Sequence, residues 1–202
     1  MSNVVFWDVD TQIDFMEPDG RLYVPGAEEL KTNLGYLTEL GFTRAGLCGS
    51  VDAHLPDDPE FSDWSPHCVY GTPGQRKVFE TLMDGTLFVP SVRLTDDQLS
   101  EVVTYSGQVI FEKQDNDVRT NHNVRRFMEL VNPRLVVVYG VVSEICVDKA
   151  VRFLAGDLGF ETLVVSDAVK ELDRAKVDSC WVEWRQLGVE AIRVDEVKSH
   201  LK

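Results

Sequence analysis

The chain has 202 residues, 44% of them apolar and 27% charged, which suits one globular domain over residues 1–202 with a sizeable core. A formal net charge of -14 speaks against nucleic acid and anionic membranes as partners, because phosphate binding needs a basic face. A small-molecule substrate is the expectation that remains.

The Met1 to Asp10 stretch is apolar but carries acids where a signal peptide would carry Lys and Arg, so it reads as a first strand and predicts a cytoplasmic protein. The longest apolar run, around Leu135 to Val142, falls far short of the about 20 residues a membrane span needs. Four cysteines without an export signal predict reduced thiols rather than a disulfide framework.

Val4 to Val9 ends abruptly in Asp10-Thr11-Gln12-Ile13-Asp14-Phe15. Acids therefore sit where a first parallel strand would end, at the edge where open α/β sheets bind ligands. After the turn residues Glu17-Pro18-Asp19-Gly20, Ala27, Leu30, Leu34 and Leu37 form a helical stripe that stops before Gly41. Thr43 to Cys48 reads as a second strand. Beyond it, Asp52 and His54 occupy alternate positions and leave an extended segment on the same face. His67 follows in a loop rich in Pro and Gly. Two histidines and a carboxylate in this arrangement can make a three-ligand divalent-metal site with open positions, or they are a loop acid and two hydrogen-bonding histidines.

Ser91 to Val103 runs from turn residues into a helix. Gln108 to Phe111 is a third buried strand ending at Glu112-Lys113, where the lysine is either a solvated rim charge or a support for a thiolate in the same cleft. Asp117 to Val131 predicts a helix with Val124, Phe127, Met128 and Val131 inward. Leu135 to Tyr139 is continuous, β-branched and apolar, as a parallel strand covered on both faces should be. After it, Val147, Ala150, Val151 and Leu154 recur at helical spacing. Ser143 is the natural N-cap between them, which puts Cys146 in the first turn, where unpaired N–H groups and the helix dipole favour a thiolate. The bland alternative is a small buried hydrophobe. A strand at Thr162 to Ser166, a helix with Val177, Cys180, Trp181 and Trp184 inward, and a strand at Ala191 to Val194 complete the chain. The expected fold is a doubly wound α/β, Rossmann-like sheet of six mostly parallel strands with right-handed crossovers. No glycine-rich phosphate loop follows the first strand, which argues against nucleotide binding by that route.

Four stretches, in this order, resemble the isochorismatase-like cysteine hydrolases over nearly the whole length, and within them the nicotinamidase branch. They are Asp10 to Phe15, the Asp52-Ala53-His54 and Pro66 to Thr72 pair, Lys113, and Gly140 to Val147. The resemblance implies Cys146 as nucleophile, Asp10 as general acid/base and Lys113 as third member of a triad. It implies one divalent ion, zinc before manganese or iron, on Asp52, His54 and His67. It also implies a cis peptide between Val141 and Val142, an oxyanion hole from the Val142 and Cys146 N–H groups, ring stacking on Phe15 and Trp64, and a homo-oligomer, dimer or tetramer. The implied activity is hydrolysis of a small amide such as nicotinamide through a Cys thioester. A related amide or ureido substrate is the alternative, because Ser143-Glu144 stands where nicotinamidases usually read Thr-Asp, and Gln114 to Asn121 departs from their pattern after the lysine. Two readings from other classes are an iron oxygenase using Asp52, His54 and His67, which leaves Asp10, Lys113 and Cys146 idle, and a non-catalytic metal-binding protein.

Overall fold

In the computed structural model, which describes residues 3–201, the apolar runs become strands: β1 (Val4–Val9), β2 (Gly46–Asp52), β3 (Leu87–Val89), β4 (Val109–Lys113), β5 (Leu135–Val141), β6 (Glu161–Lys170) and β7 (Glu190–Ile192). They form one sheet in the order β3-β4-β2-β1-β5-β6-β7, and every pairing is parallel. The sheet therefore has seven strands where six were expected. The additional one is β3, an edge strand of three residues with Phe88 exposed, too short to show the alternation by which a strand is read.

Parallel strands are joined by crossovers and so have both faces covered. On one face lie α1 (Lys31–Arg44) and the C-terminal turn Val194–His200, packing Leu34, Leu37 and Val197 onto Phe6, Tyr139 and Val165. On the other lie α2 (Asp96–Thr104), α3 (Val124–Val131), α4 (Asp148–Val151) with the wide turn Arg152–Asp157 that continues it, and α5 (Arg174–Gln186), which bury Phe127, Phe153 and Trp184 against Trp7, Phe111 and Val138. A large apolar side chain taken fully out of water contributes about 1.5–3 kcal/mol.

Some boundaries differ from the sequence reading for local reasons. α1 does not stop before Gly41 but runs to Arg44, so the second strand begins at Gly46 and extends to Asp52. Gly41 is there for proximity: a Cβ at this position would lie 2.8 Å from the Phe6 side chain, so its absence lets the helix sit on β1. The helix expected over Asp117 to Val131 is broken into a single turn, Val118–Thr120, and α3. Between them Asn121 donates to the carbonyls of Val89 and Glu112, and Asn123 to those of Pro90 and Val92. Side chains that compete for backbone partners in this way end helices. β6 is longer than read and β7 ends sooner. Of the two tryptophans placed inward, Trp184 is fully buried and Trp181 only half-buried.

All four cysteines are free. Among the described residues no helix is long and apolar enough to cross a membrane.

Candidate active site

Four neighbouring strands, β4, β2, β1 and β5, end side by side, and each carries one or more candidate residues at its carboxyl end. Asp10 follows β1, Asp52 closes β2, Lys113 closes β4, and Cys146 lies in the turn after β5. Strands β2 to β4 are laid down on one side of β1 and β5 to β7 on the other, and such a switch point in strand order opens a crevice at the sheet edge. β5 comes unusually near β1 at Gly140, where φ is 118° and a Cβ would meet the Val9 carbonyl oxygen at 2.1 Å. Only glycine fits both conditions. Asp10 itself has a positive φ of 50°, uncommon for a residue with a side chain and often found at functional positions.

Lys113 is the hub. Its Nζ lies 2.9 Å from Asp10 Oδ2, pairs with Asp52 Oδ1, and reaches Cys146 Sγ at 3.8 Å. All four side chains are buried. The other Asp10 oxygen accepts from Ser50 Oγ at 2.7 Å. Burial alone would neutralise the lysine, but the two carboxylates outweigh it and hold the ammonium well above its usual pKa. Burial raises Asp10 despite the attraction of Lys113. For Asp52 burial also raises the carboxyl, but Lys113 and the histidines win and push it far below the carboxylate range.

The thiol departs from the sequence expectation. Burial is the largest influence on Cys146 and raises its pKa well above normal; Lys113 pulls the other way and loses, with Asp10 and Asp52 opposing it. The sulfur therefore keeps its proton, with an acid of raised pKa beside it. The helix start also differs. Ser143 is not the N-cap; Val142 takes that place and no side chain caps the turn. The Val142 carbonyl accepts from Ile145 N–H at 3.1 Å and from Val147 N–H at 3.0 Å, passing over the Cys146 N–H in a widened turn. The peptide between Val141 and Val142 is cis.

On the other side of Asp52 is the histidine pair. His54 Nε2 and His67 Nε2 each lie 3.7 Å from Asp52 Oδ2, and the three donor atoms fall within 4.8 Å of one another. The two 3.7 Å separations are too wide for hydrogen bonds and narrower than twice a metal–ligand bond of about 2.1 Å. His54 Nε2 is buried with no hydrogen-bond partner among the described residues, a state a cation would relieve. The opposite ring nitrogens differ: that of His67 is hydrogen-bonded, while that of His54 has an acidic neighbour without hydrogen-bond geometry. His67 Nδ1 is 2.8 Å from the Ser65 carbonyl, which can only accept, so the proton sits on Nδ1 and Nε2 presents its lone pair. His54 Nδ1 lies 3.1 Å from Asp58 Oδ2. Carboxylate and carbonyl partners of this kind orient metal-binding imidazoles. The residues present fit a divalent cation.

Several supporting residues carried no role in the sequence reading. Gln12 clamps the Asp52 backbone from both sides, accepting from its N–H at 2.7 Å and donating to its carbonyl at 2.8 Å. Asp14 accepts from Cys68 N–H at 2.7 Å and Arg21 N–H at 3.1 Å, which fixes the loop carrying His67. Gln12 and Asp14 lie inside the Asp10 to Phe15 stretch, so their proximity to Asp10 was the available signal. Asp58 and Ser50 offered none before folding. A cavity of about 20 Å³ opens beside Cys146, walled by Phe15, Trp64, Leu172 and Ile145 and edged by Glu60 and Asn116. It has room for about one water.

A doubly wound parallel sheet with a cysteine, an aspartate and a lysine gathered at its carboxyl edge beside a metal-type donor set defines the class of protein. The chain belongs to the isochorismatase family: the isochorismatase-domain model matches residues 93–196, just over half of the sequence. No curated protein matches the chain. Its fold is that of a nicotinamidase/pyrazinamidase from Bacillus subtilis (TM-score 0.76, 15% identity, 96% of this chain and 100% of the other). A pyrazinamidase from Pyrococcus horikoshii in complex with zinc is similar over 95% and 99% of the two chains (TM-score 0.73, 23% identity). An N-carbamoylsarcosine amidase from Thermoplasma acidophilum aligns over 97% and 98% (TM-score 0.72, 23% identity).

Proposed function

We propose that the protein is a cysteine hydrolase of small amides, with Cys146 as nucleophile, Asp10 as general acid/base and Lys113 as the fixed cation of the site. The carrying observation is the position of one ammonium, Lys113 Nζ, 2.9 Å from Asp10 and 3.8 Å from the sulfur. A buried thiol that keeps its proton needs a base at the moment of attack, and Asp10 is that base.

In the first half-reaction the Cys146 proton moves to Asp10 while the sulfur bonds to the amide carbonyl carbon. The Val142 and Cys146 N–H groups hold the oxyanion; each such donor contributes about 3 kcal/mol. Asp10 then returns the proton to the amide nitrogen, the C–N bond breaks, and the amine leaves a thioester on Cys146. In the second half-reaction Asp10 takes a proton from water, the oxygen attacks the thioester carbon, and the C–S bond breaks to release the acid and restore the thiol. Lys113 stays charged throughout, holding Asp10 in place and countering the negative charge that develops on sulfur. Asp52, His54 and His67 would hold a divalent cation, zinc before manganese or iron, and this would supply Lewis-acid polarisation or a water of lowered pKa at the cavity wall.

Phe15 and Trp64 are the walls for a flat substrate. Nicotinamide is the first candidate, and a ureido compound the second, since a neighbour in fold acts on N-carbamoylsarcosine. The cavity is smaller than an aromatic amide, so the Trp64 and Leu172 walls must part on binding. The test is ammonia release from nicotinamide, pyrazinamide, small aliphatic amides and carbamoyl amino acids. Release abolished by Cys146→Ala and by thiol alkylation supports the reading; turnover that survives Cys146→Ala, or none on any of these compounds, sinks it.

A further inference from the structure

Behind the Cys146 turn, between β6 and α5, lies a second and larger recess of about 470 Å³. Ser143 lines it and is fully buried, yet its hydroxyl has no hydrogen-bond partner among the described residues. A buried hydroxyl left unpaired costs free energy unless something binds it. Trp181, half-buried, forms one wall together with Val169 and Val177.

Two acids and two arginines line the recess, so its formal charges balance, but they are paired unevenly. Arg174 lies 3.3 Å from both Glu171 and Asp178, so the two acids already share a cation. Arg185, one helical turn beyond Trp181 on α5, lines the same recess, and its side chain makes no ion pair or hydrogen bond among the described residues. In a chain of net charge -14 this leaves one unpaired guanidinium lining the same recess as an apolar wall and an unpaired hydroxyl. A guanidinium matches a carboxylate bidentately, and an indole face accepts a flat or apolar body. A cation would meet the arginines, and a neutral ligand would leave Arg185 unused.

We infer that this recess is a second binding site, taking a small organic monocarboxylate: Arg185 holds the carboxylate, Trp181 packs on the body, and Ser143 donates from the floor. The site shares a partition with the catalytic cavity. Ser143 lies one turn before Cys146, and Leu172, on the catalytic side, sits between Glu171 and Arg174 on this one. Glu144 ties the partition together, accepting from Leu172 N–H at 3.0 Å and Asp173 N–H at 2.7 Å.

The experiment is a benzoate titration of the Trp64→Phe chain, read by tryptophan emission; the substitution removes the indole beside Cys146 and leaves Trp181 as the one indole that is not fully buried, with Trp7 and Trp184 as a buried background. A saturable change is expected, weakened at least about tenfold by Arg185→Ala, partly restored by Arg185→Lys, and weakened by Ser143→Ala. Arg185 is exposed, so its variants keep the fold, which circular dichroism checks. Absence of saturation, or affinity unchanged in Arg185→Ala, overturns the inference. So does binding abolished by alkylation of Cys146 but indifferent to Arg185, which assigns benzoate to the catalytic cavity. None of these readouts depends on amide hydrolysis.

Discussion

Asp52 and Lys113 face each other in register at the ends of β2 and β4, and one carboxylate serves two neighbours: Oδ1 pairs with Lys113 while Oδ2 faces His54 and His67. The lysine that approaches the sulfur is thereby linked through a single side chain to the metal-type donor set. Whatever changes charge on one side of Asp52 is felt on the other, because neither side is open to solvent screening.

Removal of the shared cation is expected to be costly. Lys113→Met leaves Asp10 and Asp52 as buried carboxylates without their partner, and losing one member of a buried ion pair typically destabilises by about 3–5 kcal/mol. Urea unfolding of the purified variant measures it. A loss below about 1 kcal/mol would show that water or a bound cation already compensates these acids.

The reactivity of Cys146 should follow its burial. Because its thiol is held well above the usual value, the thiolate fraction is small at neutral pH and grows as pH rises. Alkylation by iodoacetamide, followed by mass spectrometry, is expected to be slow at pH 7 and to increase steadily through the alkaline range. In Lys113→Met, where the opposing attraction is gone, the rise should begin at still higher pH. A rate that plateaus near neutrality would mean a preformed thiolate.

Asp58 offers a test of the donor set that leaves its three members in place. Asp58→Asn weakens the acceptor beside His54 Nδ1, and such changes reduce metal affinity by about 10–100-fold. Competition with a chromogenic chelator gives the affinity, and elemental analysis gives the stoichiometry, expected near one divalent ion per chain and lost in His54→Ala. Equal affinity in Asp58→Asn and the unaltered chain would remove the orienting role.

Asp8 and Lys77 form a second buried pair, 2.8 Å apart and tied to Thr11, which donates to Asp8 at 2.9 Å. It lies outside the proposed chemistry, so its effects should be confined to stability. Lys77→Met alone is expected to cost about 3–5 kcal/mol, whereas Asp8→Leu combined with Lys77→Met should recover most of that, since apolar replacement of a whole buried pair is often neutral or better. Denaturant midpoints of both variants decide it; equal losses would point to packing rather than to an orphaned charge.

Much of this was legible in the sequence, for identifiable reasons. Continuous β-branched runs such as Leu135 to Tyr139 become strands whatever else the chain does, because nothing but a twice-covered parallel strand hides them. Asp10, Asp52, Lys113 and Cys146 were each visible as chemistry-bearing residues at the ends of such runs, and their meeting followed from all four strands pointing the same way. β3, by contrast, is three residues whose pairing with β4 defines it, and the Asn121 to Asn123 break depends on carbonyls of β3, of the β3–α2 loop and of β4.

What the sequence determined by itself was the local grammar: which segments alternate between strand and helix, and which reactive side chains stand at their edges. Only the tertiary structure decided the protonation of Cys146, the double duty of Asp52 and the unclaimed Arg185. The reason is that burial and charge pairing act between residues brought together across the sheet and its crossovers, and these set the cost of a charge only once the chain has closed around it.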